Sequence, residues 1–494
     1  MDAATCPDEI MPIHDSLPLL SSPPQDISVY IDPSQDVSVY MEKMMKQATE
    51  RLENQVTVKP TRIHKFPHNL RGIGGGAEDR YVVPSVVAIG PYHRGLPHLE
   101  EMEEIKLVAA YNFCRDSGCS VKDVYDKISS VAGDARSCYT STHLSDAKFM
   151  DMMVLDGCFL LQLMTKQEEP PIAGRLLSSG HSICKDIFLL ENQIPWLVLE
   201  ALMELRPMVT IEGESKPTVE AVRCWIFAVT GRYFFERKEK KAMWFQRFLQ
   251  DFLMKCRRTP EERTLHDGSS IRNGDGDSKP PHLLGLLRSL MVGDMPSQKR
   301  KGEYTKGRSH LSLSSSAVYL AQIGMKLTAS RAAWFADVKV KKKPVFGELS
   351  LSPLFLNDIA ACCLVNLAAL EAAEAASSSS FYSDGFVVTS YLSVLAMLMD
   401  REEDVHQLRH KGVLGSRFSK AQTLAFFKGL GQHLCHGYNY NAVTQEIYDY
   451  IRTKTVRIAL HKFVYNNYKV IAAVLSIAGV LAGIFRALYS LKKP

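Results

Sequence analysis

From Val470 to Phe485 the chain reads VIAAVLSIAGVLAGIF, without a charge or a proline. A run that is apolar all round has no face to offer water, so it must lie in a protein core or in lipid. In lipid its backbone can be satisfied only as a helix. That helix rises about 24 Å at 1.5 Å per residue, short of the roughly 30 Å hydrocarbon core of a bilayer. Ala487, Leu488, Tyr489 and Leu491 make up the deficit if Arg486 extends its charged head to the interface. Lys462 and Lys469 lie on one side and Lys492 and Lys493 on the other, so charge bias gives no clean orientation. Gly479 and Gly483 form GxxxG beside Ala478 and Ala482, a spacing that permits close helix pairing. The competing reading is a buried core helix. The run's place at the far C-terminus favours a single-pass anchor over residues 468–491, with the body in the cytosol and the membrane itself unspecified.

Upstream, most segments carry the period of a helix. EEMEEIKLVAAYNFCRDSG, FMDMMVLDGCFLLQLM, VRCWIFAVTGRYFFE, HLLGLLRSLM and LFLNDIAACCLVNLAALEAAEAA repeat apolar residues at three- and four-residue spacing. Strand-like alternation is confined to short pieces such as VTVKPTRIHKF and YVVPSVVAIG. The expected fold is mostly α: a large helical globular body with minor short β segments, a disordered N-terminal arm and a C-terminal transmembrane helix. The arm, residues 1–58, is rich in Pro, Ser, Asp and Gln and holds one tandem repeat, QDISVYID then QDVSVYME. A single duplication is too little for a solenoid. The second copy leads into a stretch where Val37, Met41, Met44, Ala48 and Leu52 share one helical face. The body is expected over residues 59–465, with flexible loops near 263–281, rich in Gly, Asp and Ser, and near 298–316, basic and then serine-rich.

An apolar fraction of 46% suits a sizeable core, and a net charge of +5 over 494 residues is too weak to make nucleic acid the main partner. The lysine-rich stretches at Lys299 and at Lys341-Lys342-Lys343 read as solvated charge before they read as a nuclear address. Eleven cysteines, scattered and without a CxxC pair, suggest reduced core thiols.

No GxxxxGK[ST], HExxH, GxSxG or kinase set occurs. RGIGGG at Arg71 lacks a strand-to-helix context, and His433, Cys435 and His436 lack further ligands for a metal. Four acids stand in apolar surroundings: Glu103, Asp156, Asp186 and Glu191. Such carboxylates could act as general acid or base, with His93 beside them. They could equally pair with Lys106, Lys185 or backbone amides and hold the core in register, which is the more frequent case. In DIFLLENQIPWLVL, Pro195 suits a helix start, so the preceding apolar stretch should end near Asn192. Glu191, Asn192 and Gln193 would then satisfy the backbone groups of a buried junction, with the carboxylate near a helix N-terminus.

These blocks carry a resemblance. IHKFP at Ile63 and YVVPSVVAIGPYHRG from Tyr81 (with Gly90, Pro91, Tyr92 and His93) come first, followed by HLEEMEEIK with Glu103 and MMVLDGCFLL with Asp156. Then come DIFLLENQIPWLVL (Asp186, Glu191, Asn192, Gln193, Pro195), HLLGLLR, SAVYLAQIGMKL, GELSLSPLFLND, NLAALE and DREEDVHQLRHKGVL. In this order the sequence resembles the plant DUF247 family, also called UPF0481, over nearly its whole length. Ala372 stands where the family has glutamine, and Trp196-Leu197 where it has an aromatic pair. The resemblance implies a helical, membrane-associated protein with no established enzymatic activity. Some grass members have been associated with pollen-side self-incompatibility, which puts recognition or signalling among the expectations.

The expected function is therefore a non-enzymatic, membrane-anchored plant protein that binds an unidentified protein partner, with no cofactor and no specific nucleic acid. An enzyme using Glu191, Asp156 and His93 is the alternative, and a nuclear or nucleic-acid-associated protein comes third.

Overall fold

The computed structural model describes residues 41–47, 49–50, 63–73, 79–140, 142–165, 172–211, 214–234, 279–292, 315–330, 334–343, 346–377 and 386–491. The chain divides into two units, Met1–Val58 and Lys59–Pro494. In the first, residues 41–47 and 49–50 are helical, with Met41, Met44 and Met45 exposed. The rest of the expected arm lies outside the described residues, as do the two expected loops except at 279–281 and 315–316.

In the second unit the helices α1 (Glu101–Ser117), α2 (Val121–Ser137), α3 (Asp146–Thr165), α4 (Ile172–Ile187), α5 (Trp196–Leu205) and α6 (Thr218–Phe234) come first. A hairpin of β1 (Met208–Ile211) and β2 (Glu214–Pro217) interrupts them. Asp123 and Ser120 form a reciprocal cap at the start of α2. The centre of this half is α3, which packs on α1, α2, α5 and α6 and is buried almost throughout its second half. Gly157 lets α5 close on it, since a Cβ there would stand 2.5 Å from the Leu202 side chain.

The second half contains α7 (Leu283–Val292), α8 (Ala317–Gln322), β3 (Met325–Ala329), β4 (Lys339–Lys342), β5 (Gly347–Leu351), β6 (Leu354–Leu356), α9 (Asp358–Ser377), α10 (Val387–Met397) and α11 (Glu402–His410). It continues through β7 (Leu414–Ser416), α12 (Lys420–Gly431), α13 (Tyr438–Thr453) and α14 (Thr455–Leu491). The sheet β3–β5–β4 joins β3 and β5 in parallel and β5 and β4 antiparallel, while β6 and β7 pair in parallel. The helix α9, buried from Ile359 to Glu371, touches α4, α6, α7 and α10, so one core runs through both halves.

The described fold is mostly helical with short strands, as expected, but the strands fall elsewhere than alternation suggested. Residues 81–90 run through turns and bends and join no ladder, and Ile63 forms only an isolated bridge to Tyr139. The helix α14 begins at Thr455 and runs unbroken through the apolar segment at 468–491. It is long and apolar enough to cross a membrane, and that part of it is exposed.

Candidate functional site

An irregular, largely buried segment among helices has a problem of its own, because its amides and carbonyls have neither a helix nor a neighbouring strand. For residues 81–90 the sequence supplies the partners as side chains. Asp186, at the end of α4, accepts from the amides of Ser85, Val86 and Val87 at 2.9, 2.7 and 3.0 Å. The Asn192 side-chain oxygen accepts from Ile89 N–H at 2.7 Å, and its nitrogen donates to the carbonyls of Val87 and Asp186. Asp156 accepts from Gly90 N–H at 2.7 Å, and Lys106 donates to the Ala88 carbonyl at 2.6 Å. Asn366 of α9 donates to the Tyr81 carbonyl and accepts from Leu190 N–H. The turn at Gly90 requires glycine twice over: φ is +76°, and a Cβ would lie 2.4 Å from the Gln193 carbonyl oxygen.

Lys106 sits at the middle of this cluster. Its ammonium, with no exposure, meets Asp156 at 2.7 Å and Glu103 at 2.5 Å, while Arg94 reaches Glu103 from the other side at 3.2 Å. Burial pushes the Asp156 carboxyl above the usual range against the pull of Lys106, and it raises Asp186 against its three amides. The expected pairing with Lys106 is present. Lys185 instead turns to Asp358, 3.2 Å away.

The junction around LENQIP is built as expected in kind and differs in detail. Pro195 is the N-cap of α5, with φ −60° and ψ 140°. The preceding helix ends at Ile187, five residues before Asn192, because tight turns from Lys185, Asp186 and Leu189 carbonyls take over the chain. Gln193 donates to the carbonyls of Ile187 and Leu189, and its oxygen accepts from Leu284 N–H in the first turn of α7. Glu191 does not serve the start of α5. Its carboxylate instead accepts from Phe66 N–H at 2.7 Å, tying down the IHKFP segment.

His93 and Glu191 come together, with Nε2 3.6 Å from a carboxylate oxygen, and Lys65 stands 4.0 Å from the same oxygen. Both are buried, and burial lowers the imidazole below its usual pKa while Glu191 opposes the shift. Asp156 is held by Lys106 and Gly90 instead. Tyr92 and Tyr139 close the cluster edge to face, centroids 5.6 Å apart, and the Tyr139 hydroxyl donates to the Gln193 carbonyl. Of the surface hollows, one of about 270 Å³ lies along Ser476, Ile477, Val480 and Leu481, and another of about 530 Å³ lies between Lys326 and Lys411. Neither is lined by a member of the cluster. His436, from the metal-like trio, packs against the Tyr440 ring.

Glu103 only pairs with Lys106 and Arg94, whereas Glu371 has the same role as Asp156, Asp186 and Glu191. Its carboxylate accepts from Val388 and Thr389 amides at the start of α10 and from Arg288 at 2.9 Å. Its signal in the sequence is that it is the first acid after Asp358 in a largely apolar helix. Asp404 likewise accepts from Val318, Asp400 and Arg401 amides.

A family model described as "Plant protein of unknown function", DUF247, matches residues 63–482. This chain belongs to the DUF247 family. The DUF247 match opens at Ile63, which starts the IHKFP segment held by Glu191, and closes within α14, so it contains both the buried cluster and most of the apolar helix. Among curated proteins the chain is similar to UPF0481 protein At3g47200 of Arabidopsis thaliana. It is 26% identical over 364 residues, covering 71% of this chain and 68% of the relative. It is also similar to Putative UPF0481 protein At3g02645 of the same plant, 24% identical over 408 residues and covering 69% and 73% of the two. No solved structure matches this DUF247 chain.

Proposed function

We propose that the protein is a single-pass membrane protein whose helical body, on the cytosolic side, acts by binding another protein in recognition or signalling. The observation that carries this is α14, a continuous helix whose apolar stretch is left exposed by the body. Exposed Phe463, Tyr465 and Tyr468, with Lys462 and Lys469 among them, precede the apolar stretch as an interfacial belt would. A non-catalytic role is supported by the work each buried acid already does: Asp156, Asp186, Glu191 and Glu371 are engaged by backbone amides of other segments. Flotation of the full-length chain with membranes, resistant to alkaline carbonate and lost on truncation after Asn467, tests the anchor. A full-length chain that remains soluble removes it.

The enzymatic reading keeps one specific observation in its favour. His93 Nε2 is buried against Glu191 beyond hydrogen-bond distance, with no hydrogen-bond partner among the described residues.

A further inference from the structure

The lysine run at 341–343 is not on a loop. Its first two residues end β4, and the sheet register gathers them with a lysine from another strand. Lys326 of β3 and Lys341 of β4 flank Glu348 of β5 in one row, and Lys342 stands in the next row opposite Gly347. Lys343 follows and pairs with Glu348 at 2.5 Å. Lys326 and Lys343 both lie over the Phe346 ring, at 4.1 and 5.0 Å, which brings their ammonium groups to one spot. All four lysines are exposed. Glu348, which Lys343 engages, and Asp337, which pairs with Lys339 and feels Lys341, are the carboxylates described among them, so lysines outnumber acids at this end of the sheet.

That end is also where α14 is seated. Gly324, the residue before β3, accepts from Gly347 N–H at 3.1 Å and lies against the His461 imidazole, where a Cβ would be 3.1 Å from the ring. His461 Nδ1 is 3.1 Å from the Gln322 carbonyl, and Lys462 stands over the Tyr319 ring. Lys326 follows Gly324 by two residues, so the basic row begins beside the seat of His461. From there the helix rises about 3 Å to Phe463 and about 10 Å to Tyr468 at 1.5 Å per residue. The aromatics that would mark a headgroup layer thus begin two residues beyond the point where α14 meets this end of the sheet.

We propose that the lysine-rich end of the β3–β5–β4 sheet, formed by Lys326, Lys341, Lys342 and Lys343, binds the anionic headgroups of the leaflet that α14 enters. Charge complementarity and continuity with the base of the helix select lipid as the occupant. Juxtamembrane lysines attract anionic lipid at short range, and the fold holds this patch beside the base of the helix. It rests on the membrane-anchor reading above and adds a preference for lipid charge and an orientation, with the basic side facing the cytosolic leaflet.

The test uses the full chain in vesicles of phosphatidylcholine alone or mixed with phosphatidylserine, with acylation of each lysine followed by mass spectrometry. Labelling of Lys341, Lys342 and Lys343 should fall several-fold in the anionic vesicles and recover in high salt, with Lys122 on α2 as the reference. The full-length variant Lys326→Gln/Lys341→Gln/Lys342→Gln/Lys343→Gln should insert into both vesicles equally, whereas the native chain inserts several-fold better into the anionic ones. Flotation with both vesicles, but labelling and insertion indifferent to lipid charge, overturns the inference and leaves an acidic protein segment as the occupant. Failure to float with either vesicle instead overturns the anchor itself.

Discussion

Lys106 and Asp156, both buried, meet at 2.7 Å, and each also holds the backbone of the same turn, Lys106 at Ala88 and Asp156 at Gly90. An ion pair so placed does two jobs. It neutralises two charges inside the body, and it replaces the strand that residues 81–90 lack. Replacing Lys106 leaves a buried carboxylate without its counter-charge, which typically costs about 3–5 kcal/mol. Lys106→Met should lower the melting temperature sharply, and Lys106→Met/Asp156→Asn should recover part of the loss. Tryptophan fluorescence during thermal unfolding measures both, and equal stability of the single variant and the native chain would sink the idea.

Glu191 separates the structural from the catalytic reading. Glu191→Ala strands the Phe66 amide and should cost on the order of 1–3 kcal/mol. Glu191→Gln keeps an acceptor and should lose much less. A glutamine variant of native stability that abolishes turnover of some substrate would restore the enzymatic alternative.

Gly90→Ala forces a side chain into φ +76° and against the Gln193 carbonyl. Strain of this kind costs on the order of 1–3 kcal/mol before any movement of the LENQIP turn. Loosening should show as faster hydrogen exchange at Val87 and Ile89, whose amides are capped by Asp186 and Asn192. Unchanged protection there would count against the close approach.

His282, buried next to α7, titrates at about 3, lowered from 6.5 mainly by burial. The unfolded chain therefore binds a proton that the folded chain refuses, and stability falls as pH drops below 6.5 toward 3. By pH 4 the loss from this group is about 3 kcal/mol. His282→Asn should flatten that slope in urea unfolding followed from pH 7 to 4. Curves for the variant and the native chain that run parallel would refute the assignment.

The Gly479–Gly483 side of α14 is expected to pair with a second copy in the membrane. Added Cβ atoms on Gly479 and Gly483 would meet nothing, so that side of α14 is open for close approach. Cross-linking of the full chain in vesicles should yield a dimer that Gly479→Leu/Gly483→Leu removes. Persistence of the dimer in the variant would place the contact elsewhere.

Local features of the cluster were legible in the sequence, and its long-range partners were not. Pro195 announced a helix start because its ring fixes φ and lacks a donor, and α5 begins one residue later. Gln193 and Asn192 could be read as junction groups because amides between two apolar runs must be buried. That Glu191 would hold Phe66, 125 residues away, leaves no trace in any local period. YVVPSVVAIG looked like a strand because extended backbone and β-branched residues are all that alternation detects. Whether a neighbouring strand or a set of carboxylates satisfies it is decided by the tertiary fold. The strand KVKK was passed over for the opposite reason, since its lysines face solvent at a sheet edge and carry no apolar signal.

The bond from Asn366 to the Tyr81 carbonyl spans 285 positions of sequence. At 5–20 residues per second, a ribosome needs about 15–60 s to travel between its two ends. For that interval the segment after Tyr81 waits without its last partner, and helices such as α3 and α5 are already made. Completion of the body thus depends on synthesis of α9, and the emerging chain has a long period in which a holding chaperone has apolar surface to bind.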